Sequence, residues 1–275
     1  MTDTAVVAPA PRSRLRLALG DGWTIVRRDL AQLRYTPTEL AGELIFPAIM
    51  VVLFGYIFGS AIAAPGGNYR EYLIPGLFAF SQVVAVGVTA LAMADDHARG
   101  VMDRFRSMPV ARSAIPFGRT GAVLCTGVLN LIVLTVCGLA VGWRANNGLA
   151  DAAAAFGLLL LMRYALSWLG VYLGLLVRNP TTADALVPLS FPIAMVSNAF
   201  VPTGGMPTWL RIIADWNPVS CLVTACRQLF GNPGVTTRYT VWPLQHPIVS
   251  TLAWSVVLLV IFVPLATRRY RSASS

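Results

Sequence analysis

Six long apolar runs constrain the fold of this chain more than any other feature of its sequence. A helix needs about 20 mostly apolar residues to cross the hydrocarbon core of a bilayer. Prolines within such a run are tolerated, because neighbouring helices satisfy the backbone groups that they free. The sequence therefore predicts an all-α membrane protein with six transmembrane helices, at about residues 40–62, 73–94, 120–141, 152–177, 183–201 and 248–266.

Composition excludes two other broad classes of protein. Hydrophobic residues make up 56% of the chain and charged residues 12%, whereas a soluble globular domain carries about 25% charged residues. This is too little charge to cover a water-exposed surface. Disordered chains combine low hydrophobicity with high charge, which is the reverse of what this sequence shows.

The basic residues are all arginines, and they are distributed unevenly between the predicted loops. Fifteen lie on the side that carries both termini, and five, including Arg227, lie on the opposite side. Loops rich in basic residues stay in the cytoplasm, so we expect both termini to be cytoplasmic in a multi-pass protein of the cell membrane. These arginines would also attract anionic lipid headgroups. Nucleic acid is not an expected partner, because the arginines flank apolar runs rather than forming a basic polar face.

The sequence before the first span divides into two parts. Residues 1–12 lack the basic start and sustained apolar run of a secretory signal, and we expect them to form a disordered cytoplasmic tail. In residues 13–35, apolar side chains recur at three- and four-residue spacing around Trp23. This pattern is typical of an amphipathic helix in the membrane interface; a helix packed on the rest of the protein is the alternative.

The segment between the second and third spans, residues 95–119, is too polar to cross a membrane and too long for a simple turn. Val101, Met102 and Phe105 lie on one apolar side of it, and Pro109 is expected to end a helix. A short helix projecting into the cytoplasm would be a docking element. A solvated, charged connection is the alternative.

Two apolar stretches between the fifth and sixth spans, Trp209–Ala214 and Val219–Phe230, are too short to cross a membrane. Apolar runs of about 10–14 residues are typical of re-entrant or interfacial segments. The Asn217-Pro218 pair indicates a turn between them. We therefore predict a helical hairpin that dips into the outer leaflet before the sixth span.

The sequence shows no arrangement of residues typical of catalysis or metal binding. It contains no lysine, so it cannot form a standard P-loop for ATP. His97 and His246 lie far apart, the four cysteines form no C-x-x-C pair, and no G-x-S-x-G string marks a hydrolase. We expect no metal site, no bound cofactor and no enzymatic activity in this chain. If ATP drives the protein, ATP and Mg²⁺ bind to a partner subunit.

Arg163 lies near the middle of the fourth span, where an unpaired charge costs at least about 2.5–3.5 kcal/mol on insertion scales. Asn130 lies at similar depth on the third span, so we predict an Arg163–Asn130 polar cluster, with Gln82 or Ser167 as further partners. The cluster would join helices; a role in substrate contact or gating, or a misplaced span boundary, are the alternatives. No acidic residue lies in the middle of a span, which argues against a proton-coupled secondary transporter.

Three G-x-x-x-G strings, at residues 55–59, 138–142 and 170–174, allow helix backbones to approach closely. We favour packing within one subunit for these strings, with a role between two subunits as the alternative.

Four segments of the chain resemble the permeases of type-2 ABC exporters, in the daunorubicin-resistance-like branch. They are EYLIPG (71–76), RGVMDRFRSMPVAR (99–112), GLLVRNPTTAD (174–184) and the stretch from FVPTGG to ACRQL (200–229). The second and fourth segments are specific in combination. The resemblance extends from the interfacial helix to the final arginine cluster.

The resemblance implies a permease subunit of an ATP-driven exporter. Two permease subunits, identical or homologous, would form one pathway and recruit two copies of a cytoplasmic ABC ATP-binding subunit. The loop after the second span would be the coupling helix that seats in this ATPase. Its residues would be Arg99, Gly100, Met102, Asp103, Arg104, Phe105, Arg106, Ser107, Met108 and Pro109.

The resemblance also implies that the second and fifth spans line the pathway and that the hairpin caps it outside. Aromatic side chains facing a cavity can stack on planar hydrophobic substrates, although simple packing is the alternative for each residue. The candidates are Phe78, Phe80, Gln82, Ser190, Ser197, Asn198 and Phe200. The expected cargo is a drug, a polyketide or an envelope lipid. A secondary transporter and a membrane-embedded enzyme are the alternative functions.

The distribution of arginines predicts the outcome of a topology experiment. Alkaline phosphatase fused after Ser275 should be inactive, and a fluorescent protein fused at the same place should fluoresce, because the positive-inside bias keeps this terminus in the cytoplasm. Phosphatase inserted after Asn146, in the loop between the third and fourth spans, should be active. Phosphatase activity at the C-terminal fusion would contradict the topology.

Overall fold

The computed structural model describes residues 45–46, 48–57, 69–100, 114–234 and 241–272, and the regular structure in these ranges is entirely helical. The predicted tail at 1–12, the interfacial helix at 13–35 and residues 102–109 of the coupling helix lie outside the described residues. The first predicted span is represented by α1 (Ala48–Ile57), which ends in a π-helical turn over Leu53–Ile57.

Nine further α-helices follow in the described part of the chain, with a short 3-10 helix at Thr203–Gly205. They are α2 (Tyr69–Ala98), α3 (Ala114–Ala140), α4 (Leu149–Val177), α5 (Pro180–Asp184), α6 (Leu186–Met195), α7 (Thr208–Trp216), α8 (Pro218–Phe230), α9 (Trp242–Gln245) and α10 (Pro247–Ser272). Four of them, α2, α3, α4 and α10, are long and apolar enough to cross a membrane. These four coincide with the second, third, fourth and sixth predicted spans.

We name the two ends of the helix bundle after the ends of α2. The Tyr69 end also carries the end of α3 and the beginnings of α4 and α10. At the Ala98 end, Met93 of α2, Leu175 of α4 and Tyr270 of α10 pack together in one apolar cluster. α3 therefore runs antiparallel to α2 and α4, whereas α2, α4 and α10 run in the same direction.

The prediction of a continuous helix over residues 183–201 is wrong. The segment consists of α5, which ends at Asp184, and α6, which ends at Met195 and is followed by a non-helical turn. Pro188 and Pro192 have no backbone N–H, so the carbonyl groups four residues before them lose a helical donor. At ten residues, α6 is too short to cross a membrane by itself.

The two helices of the predicted hairpin are present as α7 and α8. Asn217 joins them: its side-chain oxygen accepts a hydrogen bond from the backbone N–H of Val219 at 2.9 Å, and Pro218 occupies the first turn of α8. This is the N-terminal capping pattern expected of an Asn-Pro pair. The insertion of the hairpin into the outer leaflet stays a prediction.

The backbone of α2 approaches its neighbours closely on two faces. On α4, a Cβ atom at Gly170 would lie 2.7 Å from the carbonyl oxygen of Val86, and one at Gly174 would lie 2.5 Å from that of Ala90. The 170–174 string therefore packs helices within the subunit. On the other face, Gly87 of α2 leaves room for the backbone of Val187 at the start of α6.

The side chains on the outside of the bundle are largely apolar. One side of α10 packs on α4 and α8, and its other side exposes Val256, Val260 and Ile261. On α3, Ile132 and Val136 are exposed in the same way. Extended apolar surface is unfavourable in water and suits contact with lipid, as expected of a multi-pass membrane protein.

The close packing of α2 on α4 predicts how two glycine substitutions will differ. Gly174→Val should destabilise the protein by about 1–3 kcal/mol, because the added side chain would collide with the α2 backbone. Gly157→Val is the matched control on the same helix, since a Cβ atom there meets nothing within 4 Å. Thermal unfolding in detergent should show a lower midpoint for Gly174→Val; equal midpoints would contradict the packing.

Candidate functional site

The candidate site surrounds the turn formed by residues 196–200, which we call the 196–200 turn. Because α6 ends at Met195 and α7 begins at Thr208, the carbonyl groups of this turn have no continuing helix to supply N–H donors. Ser197, Asn198 and Phe200 are nevertheless buried. A buried carbonyl without a donor costs about 1–3 kcal/mol, so side chains from other helices must supply the hydrogen bonds.

Arg227 of α8 supplies two of these hydrogen bonds. Its side chain is 1% exposed. Its Nη2 donates to the carbonyl oxygens of Asn198 at 3.0 Å and Ala199 at 3.2 Å. Its Nε and Nη2 also donate to the carbonyl oxygen of Tyr72 at 3.1 and 2.9 Å. The planar guanidinium, with five N–H groups, can bind several carbonyl oxygens at once.

Two tyrosines of α2 complete the contacts to the turn. The hydroxyl of Tyr72 donates to the carbonyl oxygen of Asn198 at 2.9 Å, and that of Tyr69 donates to Phe200 at 3.1 Å. The Arg227 guanidinium carbon lies 3.5 Å from the centre of the Tyr72 ring, a cation–π geometry. The EYLIPG segment and the 200–229 segment therefore meet at this site.

The side chain of Asn198 links the turn to α8. Its Nδ2 donates to Thr224 Oγ1 at 2.8 Å, and its backbone N–H donates to Ser220 Oγ at 3.1 Å. Among the described residues, the Asn198 side-chain oxygen has no donor, although it is buried. Nearby, Asn217 Nδ2 donates to the carbonyl oxygen of Val196 at 2.7 Å.

The loop between α3 and α4 fixes the far end of α8. Trp143 Nε1 donates to Asn232 Oδ1 at 2.8 Å, and Asn232 Nδ2 donates to the carbonyl oxygen of Arg144 at 2.9 Å. Asn147 Nδ2 donates to the carbonyl oxygen of Gln228 at 2.9 Å. These bonds, together with the packing of α8 on α4 and α10, make α8 a firmly supported wall of the site.

Sequence analysis counted Arg227 among the arginines of the outer side, within the predicted hairpin helix Val219–Phe230, and gave it no role. The residue lies within the apolar helix α8 and is buried against α2. The signal available in the sequence was its place in a run that includes Cys221, Val223 and Cys226. The partners on α2 could not be read from spacing, because they lie 155 residues earlier.

The second buried arginine, Arg163 of α4, binds α3. Its Nε donates to the carbonyl oxygen of Val123 at 2.8 Å and its Nη2 to Thr126 Oγ1 at 3.2 Å. Gly127 leaves the space that the arginine stem occupies. Asn130 is buried one turn further along α3, and its part in the predicted cluster stays a prediction.

Gln82 and Ser167 were considered as further partners of Arg163. Gln82 Nε2 donates to the carbonyl oxygen of Phe78 and to Ser81 Oγ on its own helix. Ser167 Oγ donates to the carbonyl oxygen of Tyr164, also on its own helix. Val123 and Thr126 both bond to Arg163 from α3, and sequence analysis missed these two partners.

The seven candidate pathway residues are at most 5% exposed in this chain. Asn198 lies in the 196–200 turn described above, and the other six divide into two groups. Phe78 packs against Trp143, Phe156 and Phe230 in the interior. Ser190 and Ser197 donate to carbonyl groups three residues earlier, and Gln82 bonds to its own helix. Their contact with a substrate stays a prediction.

Phe80 and Phe200 belong to a different group, which we call the five-phenylalanine cluster. Its ring centres lie 4.9–6.4 Å apart between neighbours. Phe191 of α6 is 37% exposed and Phe46 is 45% exposed, so the cluster reaches the surface of the chain. Its members are Phe46, Phe54, Phe80, Phe191 and Phe200.

The predicted coupling helix is described only at its start. Arg99 forms an ion pair with Asp95 at 2.6 Å, and Gly100 has a left-handed backbone, φ 65°, that glycine adopts readily. The other eight predicted residues, Met102, Asp103, Arg104, Phe105, Arg106, Ser107, Met108 and Pro109, lie outside the described residues. Asp96 and Arg119, 3.7 Å apart, connect α2 and α3 at the base of this loop.

Cys221 and Cys226 of α8 are both free and buried. Burial raises the pKa of both thiols to about 12. They are therefore protonated at neutral pH and are poor nucleophiles.

Comparison with known proteins relates the chain to membrane permeases. The sequence profile of the ABC-2 type transporter family matches residues 21–230. The daunorubicin resistance ABC transporter permease protein DrrB1 of Streptomyces coeruleorubidus is 28% identical, covering 98% of this chain and 93% of its own. The doxorubicin resistance permease protein DrrB of Mycobacterium tuberculosis is 28% identical, covering 87% and 84%. The putative transport permease ycf38 of Porphyra purpurea is 25% identical, covering 76% and 73%.

The two buried arginines should respond differently to replacement by methionine. Arg227→Met removes the donor of the Ala199 carbonyl, at a cost of about 1–3 kcal/mol, and one of the two donors of the Asn198 carbonyl, which keeps the Tyr72 hydroxyl. Arg163→Met should cost less, because the Val123 carbonyl lies inside α3 and also accepts a hydrogen bond from Thr126 Oγ1. Thermal unfolding in detergent measures both. An Arg163→Met loss equal to or larger than that of Arg227→Met would refute this ranking.

Proposed function

Because the chain belongs to the ABC-2 type transporter family, we propose that it is the permease subunit of an ATP-driven exporter of hydrophobic or amphipathic cargo. The observation that carries this proposal is the match over residues 21–230, together with drug-resistance permeases aligned along nearly the whole chain. The relatives are named for resistance to daunorubicin and doxorubicin, which are planar aromatic drugs. A drug of this kind, a polyketide or an envelope lipid is the proposed cargo.

ATP and Mg²⁺ act in a partner, because this chain has no P-loop lysine. Two cytoplasmic ABC ATP-binding subunits bind two permease subunits, which are identical or homologous. The arginine distribution supports placing the Ala98 end of the bundle in the cytoplasm of the cell and the Tyr69 end outside. The coupling helix, from Arg99 to Pro109, then projects toward the ATPase.

The five-phenylalanine cluster supports an aromatic pathway lining. It joins α1, α2, α6 and the 196–200 turn, and two of its rings are partly exposed. Offset or edge-to-face contacts with a planar drug would replace contacts between these rings. In this proposal the pathway runs along this face of the subunit, opposite the second permease.

The mechanism depends on differential binding of nucleotide. ATP closes the ATPase dimer, which moves the seated coupling helices and shifts the permease between inward-open and outward-open states. A ligand shifts an equilibrium only by its difference in affinity for the two states. The nucleotide therefore supplies the free energy, and the permease transmits it through the loop anchored by Asp96 and Arg119.

Substitution in the coupling loop tests the docking role. Phe105→Asp should abolish co-purification of the ATP-binding subunit and doxorubicin efflux from cells, because it places a charge on the proposed apolar docking side. Membrane insertion should be unchanged. The matched control is Leu149→Asp, the same kind of change at a residue 91% exposed at the Tyr69 end.

The control variant should bind the ATPase and export doxorubicin like the parent protein. Retention of both properties by Phe105→Asp would exclude the loop as the docking element. Efflux by the parent protein reconstituted without any ATPase subunit would exclude the ATP-driven mechanism itself.

A further inference from the structure

We propose that Arg227 is the positioning residue of a latch that holds the 196–200 turn closed against α2, and that cargo leaves only when this latch opens. This inference rests on the proposed function and adds to it the identity of the element that moves. The latch is formed by Arg227, Tyr72 and Tyr69 as donors and by the carbonyl groups of Asn198, Ala199 and Phe200 as acceptors.

The segment that carries the turn is supported mainly by α2. α5 and α6 meet at a single residue, Ala185, which keeps helical dihedral angles, and α6 ends at the turn, so the segment does not continue into a long helix. Its backbone lies in two glycine notches of α2: Val187 against Gly87 and Ala199 against Gly76. Its other side exposes Leu189, Ile193 and Met195. Such a segment can move as a unit relative to α2.

The opposite side of the latch is fixed. Arg227 is on α8, which packs on α4 and α10 and is joined to the loop between α3 and α4 by Trp143, Asn147 and Asn232. A displacement at the latch is therefore a movement of the 196–200 turn away from α8, rather than of α8 away from the bundle.

The chemistry of the latch suits reversible closure. Apolar packing between the turn and α8 would have to be remade over a large area, whereas hydrogen bonds to carbonyl oxygens can be exchanged individually. In the closed arrangement the side-chain oxygen of Asn198 is buried without a donor among the described residues. A buried acceptor without a donor is unfavourable. A second, open conformation that gives this oxygen a donor would explain why it lacks one in the closed arrangement.

Phe200 connects the latch to the proposed cargo path. Its carbonyl oxygen accepts the hydrogen bond from Tyr69, and its ring lies 4.9 Å from that of Phe54 and 5.6 Å from that of Phe80. Movement of the turn therefore breaks a latch hydrogen bond and rearranges the five-phenylalanine cluster together. Cargo that replaces ring contacts in this cluster would favour the open latch.

A reversible cross-link tests whether the turn must move. Asn198→Cys and Thr224→Cys are combined in a protein whose four native cysteines are replaced by alanine, assembled with its ATP-binding subunit. Asn198 Nδ2 and Thr224 Oγ1 are 2.8 Å apart, so the two introduced thiols lie close together in the closed turn and we expect oxidation to join them in resting membranes. Doxorubicin efflux should fall by at least about tenfold on oxidation and recover on reduction. Each single-cysteine variant should be unaffected by oxidation.

The outcomes of this experiment separate the two proposals. Normal efflux by the fully cross-linked protein would overturn the latch, and absence of the cross-link would overturn its geometry. If the protein is not an exporter, the cysteine-free parent should show no efflux under either oxidising or reducing conditions. That result would overturn the proposed function, and the latch with it.

A labelling experiment tests the part played by Arg227 itself. Ala199 and Val223 are both buried in the closed chain. In the cysteine-free protein, Ala199→Cys and, as the control, Val223→Cys should therefore both be protected from an impermeant maleimide. Arg227→Lys should expose the cysteine at 199 and leave that at 223 protected, because an ammonium cannot span the carbonyl oxygens as a guanidinium does. Continued protection of 199 would overturn the role of Arg227. Exposure of both positions would show a merely structural role.

Discussion

The carbonyl groups of the 196–200 turn need donors that a lipid environment cannot supply, and much of the structure around the Tyr69 end follows from this need. Two tyrosines at the start of α2 and Arg227 of α8 provide those donors. The start of α2 must therefore lie beside α8, and α8 must be held in place by the loop between α3 and α4. The end of α6 at Met195 thus constrains the positions of α2, α8 and the loop between α3 and α4.

The sequence was sufficient for the long helices and insufficient for the broken segment. Continuous apolar runs identified α2, α3, α4 and α10, because nothing but a helix satisfies the backbone of so long an apolar stretch. The same reasoning failed for residues 183–201, since Pro188 and Pro192 are compatible with either a kinked or an interrupted helix. The partners supplied by α8, and by α2 more than a hundred residues earlier in the chain, decide between them.

The candidate site was predicted in part for the same reason. Phe78 and Phe80 are two residues apart on α2 and were given one role, but they point into different aromatic clusters, Phe78 into the interior and Phe80 toward α6. Sequence patterns show that a residue is apolar and helical, not which neighbour covers it. Arg163 was recognised because a charge within a long apolar run is conspicuous, whereas Arg227 lay in a run too short to be counted as a span.

The two faces of α2 differ in a way that bears on movement. Against α4, the backbones touch through Gly170 and Gly174 in the last third of that helix, and sliding of one long helix on the other would have to remake that close contact. Against α6, the partner is a ten-residue helix that leads into the 196–200 turn, and the turn is held by hydrogen bonds to side chains. In the proposed exporter, a motor that acts at the Ala98 end would therefore move α2 and α4 together as one body. The movement proposed for export would then be concentrated at α6 and the 196–200 turn.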